Sequence, residues 1–202
     1  MAGKLIRTVQ WLASDPFGPD RCTLSEISYG WELKGEANGI GLGPEGPQRV
    51  LYTVRVDHSW KTRYARVQLD REAGPGWQSS KRCSLKRDDL GFWTPSTGPS
   101  CPPRGRIQGL IDIDIQATPA TNTLPIRRLN LAVGESAEVT AAWFRLPEFQ
   151  LEPLRQRYTR VSEDTYHYEA PDHEFTATLT VDDLGLVVDY DPGWQRMFSI
   201  DG

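Results

Sequence analysis

The sequence FTATLTVDDLGLVVDY, residues 175–190, decides the fold class. In its first half, apolar residues alternate with threonine at a period of two, which is typical of a β-strand with one face in a core. The stretch Asp182–Gly185 then interrupts the pattern, and a second apolar run continues to Tyr190. Two such runs joined by a turn that contains glycine predict an antiparallel hairpin.

The same period of two recurs along the chain, at Val50–Val56, Ile111–Ile115 and Val139–Trp143. Residues 147–160 also favour a strand, because Pro153 interrupts a helix while apolar and polar residues alternate after it. Each of these segments would place one row of side chains in a core and the other toward water or a cavity. Strands therefore dominate the predicted structure.

Helices are predicted to be few and short, because the chain contains 15 prolines and 18 glycines. The best candidate is Leu124–Leu131, with Asn122 or Thr123 as its N-cap and Pro125 in its first turn. We therefore expect a mostly β protein with one large antiparallel sheet curled on itself, and at most one or two short helices.

The length of 202 residues suits a single domain, and we expect one spanning residues 1–202. The proline-rich segment Gly91–Arg106 is predicted to be a mobile surface loop without regular structure, and Gly39–Pro47 a smaller loop of the same kind. Strand-like sequence lies on both sides of Gly91–Arg106, so it does not resemble a linker between domains.

The composition of the chain argues against several classes of protein. The net charge of -4 argues against a dedicated nucleic-acid binder, and an aromatic content of 10% argues against disorder. We find no apolar run of the roughly 18 residues that a membrane-spanning helix needs. Arg7 and Gln10 interrupt the N-terminus before a signal-peptide core can form, so we expect a soluble, cytoplasmic protein. Cys22, Cys83 and Cys101 are scattered and predict neither a zinc site nor a disulfide framework.

Motifs for catalysis are scarce. The sequence has no GxSxG, and the glycine-rich residues 39–43 lack the Lys-Ser/Thr of a phosphate-binding loop. Asp112 and Asp114 lie two apart on a predicted strand and could form a catalytic carboxylate pair. Ion pairs or a solvated strand face explain the same pattern more simply, and a polar cavity lining is a third alternative. We predict no cofactor and no metal site.

Arginines beside aromatic and amide residues suggest a ligand site. Arg127 and Arg128 follow the constrained stretch TPATNTLPI, which would hold their guanidinium groups in place for a carboxylate or a phosphate. Such groups next to aromatic rings suit a ligand with an apolar and a hydroxyl-rich or anionic part, although structural salt bridges and core packing are the alternatives. The candidate ligand-binding residues are Trp60, Arg63, Asn122, Arg127, Arg128, Trp143, Arg145, Gln156 and Tyr158.

The run DIDI at 112–115 and TPATNTLPIRRL at 118–129 strongly resembles a bacterial and fungal family described as putative glycolipid-binding. The resemblance continues through AWFRLP at 142–147 and PGW at 192–194, and spans nearly the whole chain. It implies a spiral β-roll, a long antiparallel sheet wrapped into a half-open barrel, and it supplies no catalytic residues. The chain departs from the family at Leu110, where cysteine is common, and at Gly91–Arg106, which resembles an insertion.

We therefore expect a β-roll with an internal cavity that binds a glycolipid or another amphiphile. Burial of an acyl chain would contribute about 0.8 kcal/mol per CH₂, and the candidate residues would surround the head group. Two other hypotheses stay open at this point. One is an enzyme of glycolipid or carbohydrate metabolism that uses Asp112 and Asp114 with Tyr158 or Arg128. The other is a protein-interaction module without a small ligand, and a homodimer is compatible with each hypothesis.

Overall fold

A computed structural model describes residues 3–14, 18–40, 47–73, 76–97, 101 and 107–202. Its main feature is a single sheet of 14 strands. The first seven strands are β1 (Lys4–Ala13), β2 (Asp20–Ile27), β3 (Gly30–Ile40), β4 (Gln48–Asp57), β5 (Thr62–Ala73), β6 (Gly76–Arg87) and β7 (Trp93–Thr97). The other seven are β8 (Ile113–Ile115), β9 (Ser136–Arg145), β10 (Gln150–Arg160), β11 (Thr165–Ala170), β12 (Phe175–Val181), β13 (Val187–Asp191) and β14 (Trp194–Asp201).

The strand order is β7-β6-β5-β4-β3-β2-β1-β14-β13-β12-β11-β10-β9-β8. Each half is a meander of neighbouring strands, and the pairing of β1 with β14 joins the two halves. All the pairs are antiparallel except β8 with β9, which is parallel. The predicted mostly β class is confirmed, as is the hairpin formed by β12 and β13.

The sheet curls until its two edge regions meet. On one side, the Trp93 Nε1 and Arg87 Nε atoms both donate to the carbonyl oxygen of Leu110, at 3.0 and 2.8 Å, just before β8 begins. At the other end of the strands, Lys81 Nζ lies 3.2 Å from the carbonyl oxygen of Glu148 in the turn between β9 and β10. These contacts give the half-open barrel that the sequence led us to expect.

One short helix, α1 (Thr123–Leu129), follows a 3-10 turn at Pro119–Asn122. Thr118 is extended, and its hydroxyl accepts a hydrogen bond from the backbone N–H of Ala120 at 3.0 Å, so it caps the 3-10 turn. The helix ends at Asn130, whose φ of 46° is left-handed. The predicted helix is confirmed, and Asn122 occupies the N-cap position as expected, but its side chain makes no capping hydrogen bond.

The interior of the roll is filled by the chain itself. Residues 117–126 are all buried, so the 3-10 turn and the first half of α1 occupy the space that the sheet surrounds. Large inward side chains pack around them, and the Trp11 Nε1–H donates to the carbonyl oxygen of Val187 at 2.7 Å. We expected a hollow interior here. The proline-containing segment fills it instead. Its Thr118, Thr121 and Asn122 side chains form hydrogen bonds within the chain. The buried Thr123 hydroxyl has no hydrogen-bond partner among the described residues.

Two predictions about loops need correction. Part of Gly91–Arg106, predicted to lack regular structure, forms the edge strand β7, and Trp93 is buried with 1% of its surface exposed. Antiparallel pairing with β6 and burial of the indole stabilise this strand, although Pro95 lies within it. Residues 98–100 and 102–106 of that loop, and residues 41–46 of the loop at Gly39–Pro47, lie outside the described residues.

The cysteine prediction is also wrong. Cys83 in β6 and Cys101 form a disulfide bond across a sequence separation of 18 residues. The chain turns back from β6 through β7 to Cys101, which brings together two cysteines whose spacing matches no short motif. Cys22 stays free and buried.

Candidate functional site

Three of the candidate ligand residues lie inside the roll and bond to other residues there. Tyr158 Oη donates to Asn122 Oδ1 at 2.9 Å, and Asn122 Nδ2 donates to the carbonyl oxygen of Pro119 at 3.2 Å. Gln156 Nε2 donates to Asp114 Oδ2 at 2.6 Å and to Tyr168 Oη at 3.0 Å. These groups tie α1 to the sheet, and their hydrogen-bonding capacity is largely used within the chain.

Asp114 belongs to this interior network. Its Oδ1 accepts a hydrogen bond from Thr121 Oγ1 at 3.2 Å, and burial raises its pKa to about 6, even though the bonds from Gln156 and Thr121 act in the opposite direction. Burial raises the pKa of the neighbouring Tyr158 and Tyr168 hydroxyls as well. A carboxyl with a pKa of about 6 can gain or lose a proton near neutral pH.

Asp112 has a different environment. Only 1% of its side chain is exposed, and Arg128 grips it with two hydrogen bonds, Nε to Oδ1 at 3.0 Å and Nη2 to Oδ2 at 2.5 Å. A bidentate guanidinium gives both oxygens of this buried carboxyl group a hydrogen-bond partner. The pair expected from Asp112 and Asp114 is therefore one carboxylate locked in an ion pair and one held in an amide and hydroxyl network, and this arrangement does not favour hydrolase chemistry.

A further buried carboxyl, Asp20, escaped the sequence analysis. The Oη of Tyr52 lies 3.1 Å from both Asp20 oxygens, and Thr118 Oγ1 donates to Asp20 Oδ2 at 2.5 Å. Burial raises the pKa of Asp20 to about 7, and the hydrogen bonds from Thr118 and Tyr52 oppose that rise. No sequence motif marks Asp20, and the nearest signal was its place among the alternating residues of β2.

An open cavity of about 610 Å³ lies at the end of the roll where the turns after β4, β10 and β12 meet. We call this the cavity end. Antiparallel strands place every second turn at the same end of a sheet, which explains how turns so distant in sequence come together. The cavity is lined by Trp60, Ile126, Arg127, Asn130, Arg160, Glu163, Asp164, Tyr166, Val181, Asp182, Asp183 and Gly185.

Trp60 forms an aromatic wall of this cavity. Its ring stacks on Trp31, with centroids 5.4 Å apart and planes 13° apart, and the Arg127 guanidinium lies over the ring, with its central carbon 5.3 Å from the ring centroid. Trp60 has a φ of 61°, which is unusual for a bulky residue and costs free energy unless the surroundings enforce it. The turn enforces it through Asp57, whose Oδ1 accepts hydrogen bonds from the backbone of Ser59 and Lys61.

Arg127 reaches the cavity from the end of α1. Its Nη1 donates to the carbonyl oxygen of Asp183 at 3.3 Å, and its other N–H groups make no hydrogen bond to a side chain among the described residues. Its aliphatic stem lies against Gly185, where a Cβ would come within 2.9 Å of Arg127 Cδ. Gly185 therefore serves both the left-handed turn, with a φ of 77°, and the close approach of the arginine.

The carboxylates of the cavity wall are partly neutralised. Asp182 accepts from Arg7 at 2.9 Å and from Arg196 at 2.6 Å, and its other oxygen accepts two backbone N–H groups of its own turn. Asp183 pairs with Arg7 at 2.7 Å, and that hydrogen bond lowers the Asp183 pKa. The cavity thus offers an indole, a guanidinium, an amide and carboxylates to a polar ligand without a large excess of either charge.

The remaining candidate residues lie elsewhere. Trp143 packs edge-on against His173, with ring centroids 5.1 Å apart, and Arg145 pairs with Glu152 at 3.4 Å. Arg63 bridges two carboxylates, at 2.8 Å from Asp57 and 2.5 Å from Asp89. The predicted residues therefore lie in five separate places, and only Trp60 and Arg127 among them line the cavity at the cavity end. Asn130 and Tyr166 complete it and were not predicted.

Other kinds of site are not visible in the described part of the chain. Residues that could hold a metal ion do not cluster there. None of its helices is both long and apolar enough to cross a bilayer. Exposed apolar side chains do occur along β14, where Met197, Phe198 and Ile200 are 57%, 37% and 61% exposed. The hypothesis of a protein-interaction module stays a prediction.

Comparison with known proteins identifies relatives of the whole chain. The model of a family described as "Putative glycolipid-binding" matches residues 8–196. A crystal structure of a DUF1089 family protein from Pseudomonas aeruginosa is 31% identical, with a TM-score of 0.73, and the match covers 88% of this chain and 92% of that one. A beta-barrel-like protein of domain of unknown function DUF1849 from Brucella abortus is 10% identical, with a TM-score of 0.55 over 100% and 99% of the chains. No curated protein matches the sequence.

Proposed function

The chain belongs to the family described as putative glycolipid-binding, and from this membership we propose that it binds the sugar head group of a glycolipid in the cavity at the cavity end. The observation that carries the proposal is Trp60, an indole held in a left-handed backbone conformation at the wall of a 610 Å³ cavity beside a guanidinium group. A cavity of this volume lies within the range of roughly 300–1,000 Å³ that is usual for small-molecule sites.

The lining chemistry suits a sugar. A pyranose ring has an apolar face that packs against an indole, and its hydroxyl groups both donate and accept hydrogen bonds. Arg127 and Asn130 supply donors, while Glu163 and Asp164 supply acceptors. Because the carboxylates at Asp182 and Asp183 are paired with arginines, the site favours a neutral hydroxyl-rich head group over a strongly charged one.

An apolar rim beside the cavity would take the first part of the lipid chain. Val133 and Val161 are 59% and 51% exposed, and they lie next to each other because Gly134 N–H donates to the carbonyl oxygen of Arg160 at 2.7 Å. Arg160 itself lines the cavity. In this arrangement the sugar enters the cavity, and the acyl chain runs outward over the valines rather than into the filled interior of the roll.

Isothermal titration calorimetry with octyl glucoside, kept below its micelle concentration, tests the proposal. The unaltered protein should show saturable binding. Trp60→Ala should weaken it by about tenfold or more, because the cavity loses its indole wall and Arg127 loses the ring on which it rests. Trp77→Ala is the matched control, since Trp77 is a 40% exposed tryptophan far along the sheet from the cavity, and this variant should bind as the unaltered protein does.

Trp60 is buried, so its replacement could unfold the chain, and Arg127→Ala provides a second variant at an exposed position. It should fold normally and bind octyl glucoside several-fold more weakly. Absence of saturable heat with the unaltered protein would refute the proposal, and so would equal affinity for the Arg127→Ala and Trp77→Ala variants.

A further inference from the structure

The outer face of β2–β6 carries a row of hydroxyl and cationic side chains in register. Thr23, Lys34, Thr53 and Arg66 are direct cross-strand partners on β2, β3, β4 and β5. Adjacent strands lie about 4.8 Å apart, so the row extends roughly 15 Å across the sheet. Arg21, two residues before Thr23, lies diagonally across from Lys34. Cationic side chains therefore lie both within this row and next to it.

Three carboxylates on this face already form ion pairs with arginines. Glu32 pairs with Arg55 at 2.6 Å, while Glu36 and Asp70 both pair with Arg49, at 3.4 and 3.1 Å. Five further cations have no carboxylate within ion-pairing distance among the residues that the structure describes. They are Arg21, Lys34, Arg66, Arg82 and Lys86. The face is therefore positive, although the whole chain has a net charge of -4.

Two shallow depressions lie along the row. One, of about 550 Å³, is lined in part by Arg21, Thr23 and Lys34, and the other, of about 380 Å³, in part by Thr53, Arg55 and Arg66. Both include Lys34, Gly35 and Leu51, so they form one continuous trough over β2–β5. We call the trough and its cations the cationic trough.

We propose that the cationic trough docks the protein on the surface of a bilayer that contains anionic phospholipids. Lys34 and Arg66 are separated by Thr53, and Lys34 and Arg21 are diagonal neighbours, so the cations do not converge on one point. Separated single charges match a surface with many separate phosphate groups better than they match one small anion. Each lysine or arginine near such a surface strengthens binding about fivefold.

The inference stands apart from the sugar cavity, because the trough lies on the outer face of β2–β5 and the cavity lies at the cavity end. The two are compatible, since a glycolipid ligand resides in a membrane. The test below uses vesicles without any glycolipid, so its failure and the failure of the proposed function can be distinguished.

Co-sedimentation with vesicles measures the docking. One set contains phosphatidylcholine and phosphatidylglycerol at a ratio of about 7:3, and the other contains phosphatidylcholine alone. The protein should bind the first set and not the second, and binding should weaken steeply as salt rises. Lys34→Ala combined with Arg66→Ala should reduce the affinity about 25-fold, from two contributions of about fivefold each.

Lys4→Ala combined with Lys61→Ala is the matched control. Both lysines are exposed and lie off the trough, and the change in net charge is the same. This variant should bind within about threefold of the unaltered protein. Equal loss in both double variants would overturn the proposal, as would equal binding to the two vesicle sets. Binding to heparin without binding to the anionic vesicles would also overturn it, because the partner would then be a soluble polyanion.

Discussion

Asp112 and Arg128 show that an arginine considered for ligand binding can instead form an ion pair that stabilises the fold. Both come from the stretch that the resemblance singled out, and the sequence left a ligand role and a salt bridge open for Arg128. The structure buries the carboxylate to 1% exposure and satisfies it with two hydrogen bonds from the guanidinium. The pair joins α1 to the segment that enters β8, so its first effect is on stability.

Removing one member of this pair should be costly. Arg128→Ala leaves Asp112 buried without its partner, and we expect a loss of about 3–5 kcal/mol in the free energy of unfolding. Arg155→Ala is the control, because Arg155 pairs with Asp172 at 3.4 Å with both side chains more than half exposed. It should cost less than about 1 kcal/mol. Urea unfolding measures both, and similar losses would contradict this account.

Asp20 makes stability depend on pH. Its pKa is about 7 in the folded protein and 3.8 in the unfolded chain, so between these values the native state holds more protons. The free energy of unfolding therefore falls as pH rises through this window. Asp114, with a folded pKa of about 6, acts in the same direction over a narrower range.

We expect the protein to be less stable at pH 8 than at pH 5, and Asp20→Asn to reduce that difference by on the order of 2 kcal/mol. Urea unfolding at the two pH values gives the comparison, with Asp172→Asn as an exposed control. A difference that stays unchanged in Asp20→Asn would show that this carboxyl ionises normally in the folded state.

The candidate ligand-binding residues could be picked from the sequence by their type, but their hydrogen-bond partners could not. Asn122, Gln156 and Tyr158 were expected to contact a ligand, and the structure bonds them to Pro119, Asp114 and Asn122 within the roll. A shift of one residue in register reverses the face of every side chain on a strand. Trp60 and Arg127 line the same cavity, although they are 67 positions apart in the sequence. They meet because the sheet curls, which no local sequence pattern could show.

Among the strands, β3 and β4 pack closely where Tyr52 of β4 lies against Gly35 of β3. These two residues are cross-strand partners, and the Tyr52 ring lies over Gly35 on its way to Asp20. A Cβ on Gly35 would lie 2.2 Å from Tyr52 Oη and 2.3 Å from its Cζ. The absence of a side chain at Gly35 therefore makes room for the buried tyrosine.

Gly35→Ala should destabilise the protein by about 1–3 kcal/mol, because the ring must shift away from Asp20. Gly76→Ala is the control, since a Cβ there would meet nothing within 4 Å, and it should change stability by less than about 0.5 kcal/mol. Thermal unfolding followed by circular dichroism checks both variants. A neutral Gly35→Ala would mean that Tyr52 does not lie over the glycine.

The disulfide between Cys83 and Cys101 fastens the segment after β7 to β6. It closes a loop of 18 residues, and such a loop corresponds to about 3 kcal/mol in the chain-entropy model. Cys101→Ser should lower the free energy of unfolding by that order, and a reductant should have the same effect on the unaltered protein but none on the variant. Mass spectrometry of the untreated protein should show Cys83 and Cys101 linked. Two free thiols at these positions would contradict the structure.

The molecule as a whole is a 14-stranded sheet rolled around its own proline-containing segment. Strand alternation predicted the class and the hairpins, because a period of two is a local property of the chain. The pairing of β1 with β14 and the burial of residues 117–126 depend on contacts between residues that are far apart in the sequence. No short segment of the sequence could therefore reveal them. The prediction of an internal cavity was wrong for this reason, and we place the proposed ligand site at the cavity end instead.

Hydrogen–deuterium exchange with and without octyl glucoside tests that placement directly. The account predicts slower exchange on ligand binding in the turns that form the cavity end, residues 57–61, 160–166 and 182–186. It predicts no change in the buried segment 117–124. Protection of 117–124 together with the inner strands, without change in those three turns, would place the ligand inside the roll and contradict the account.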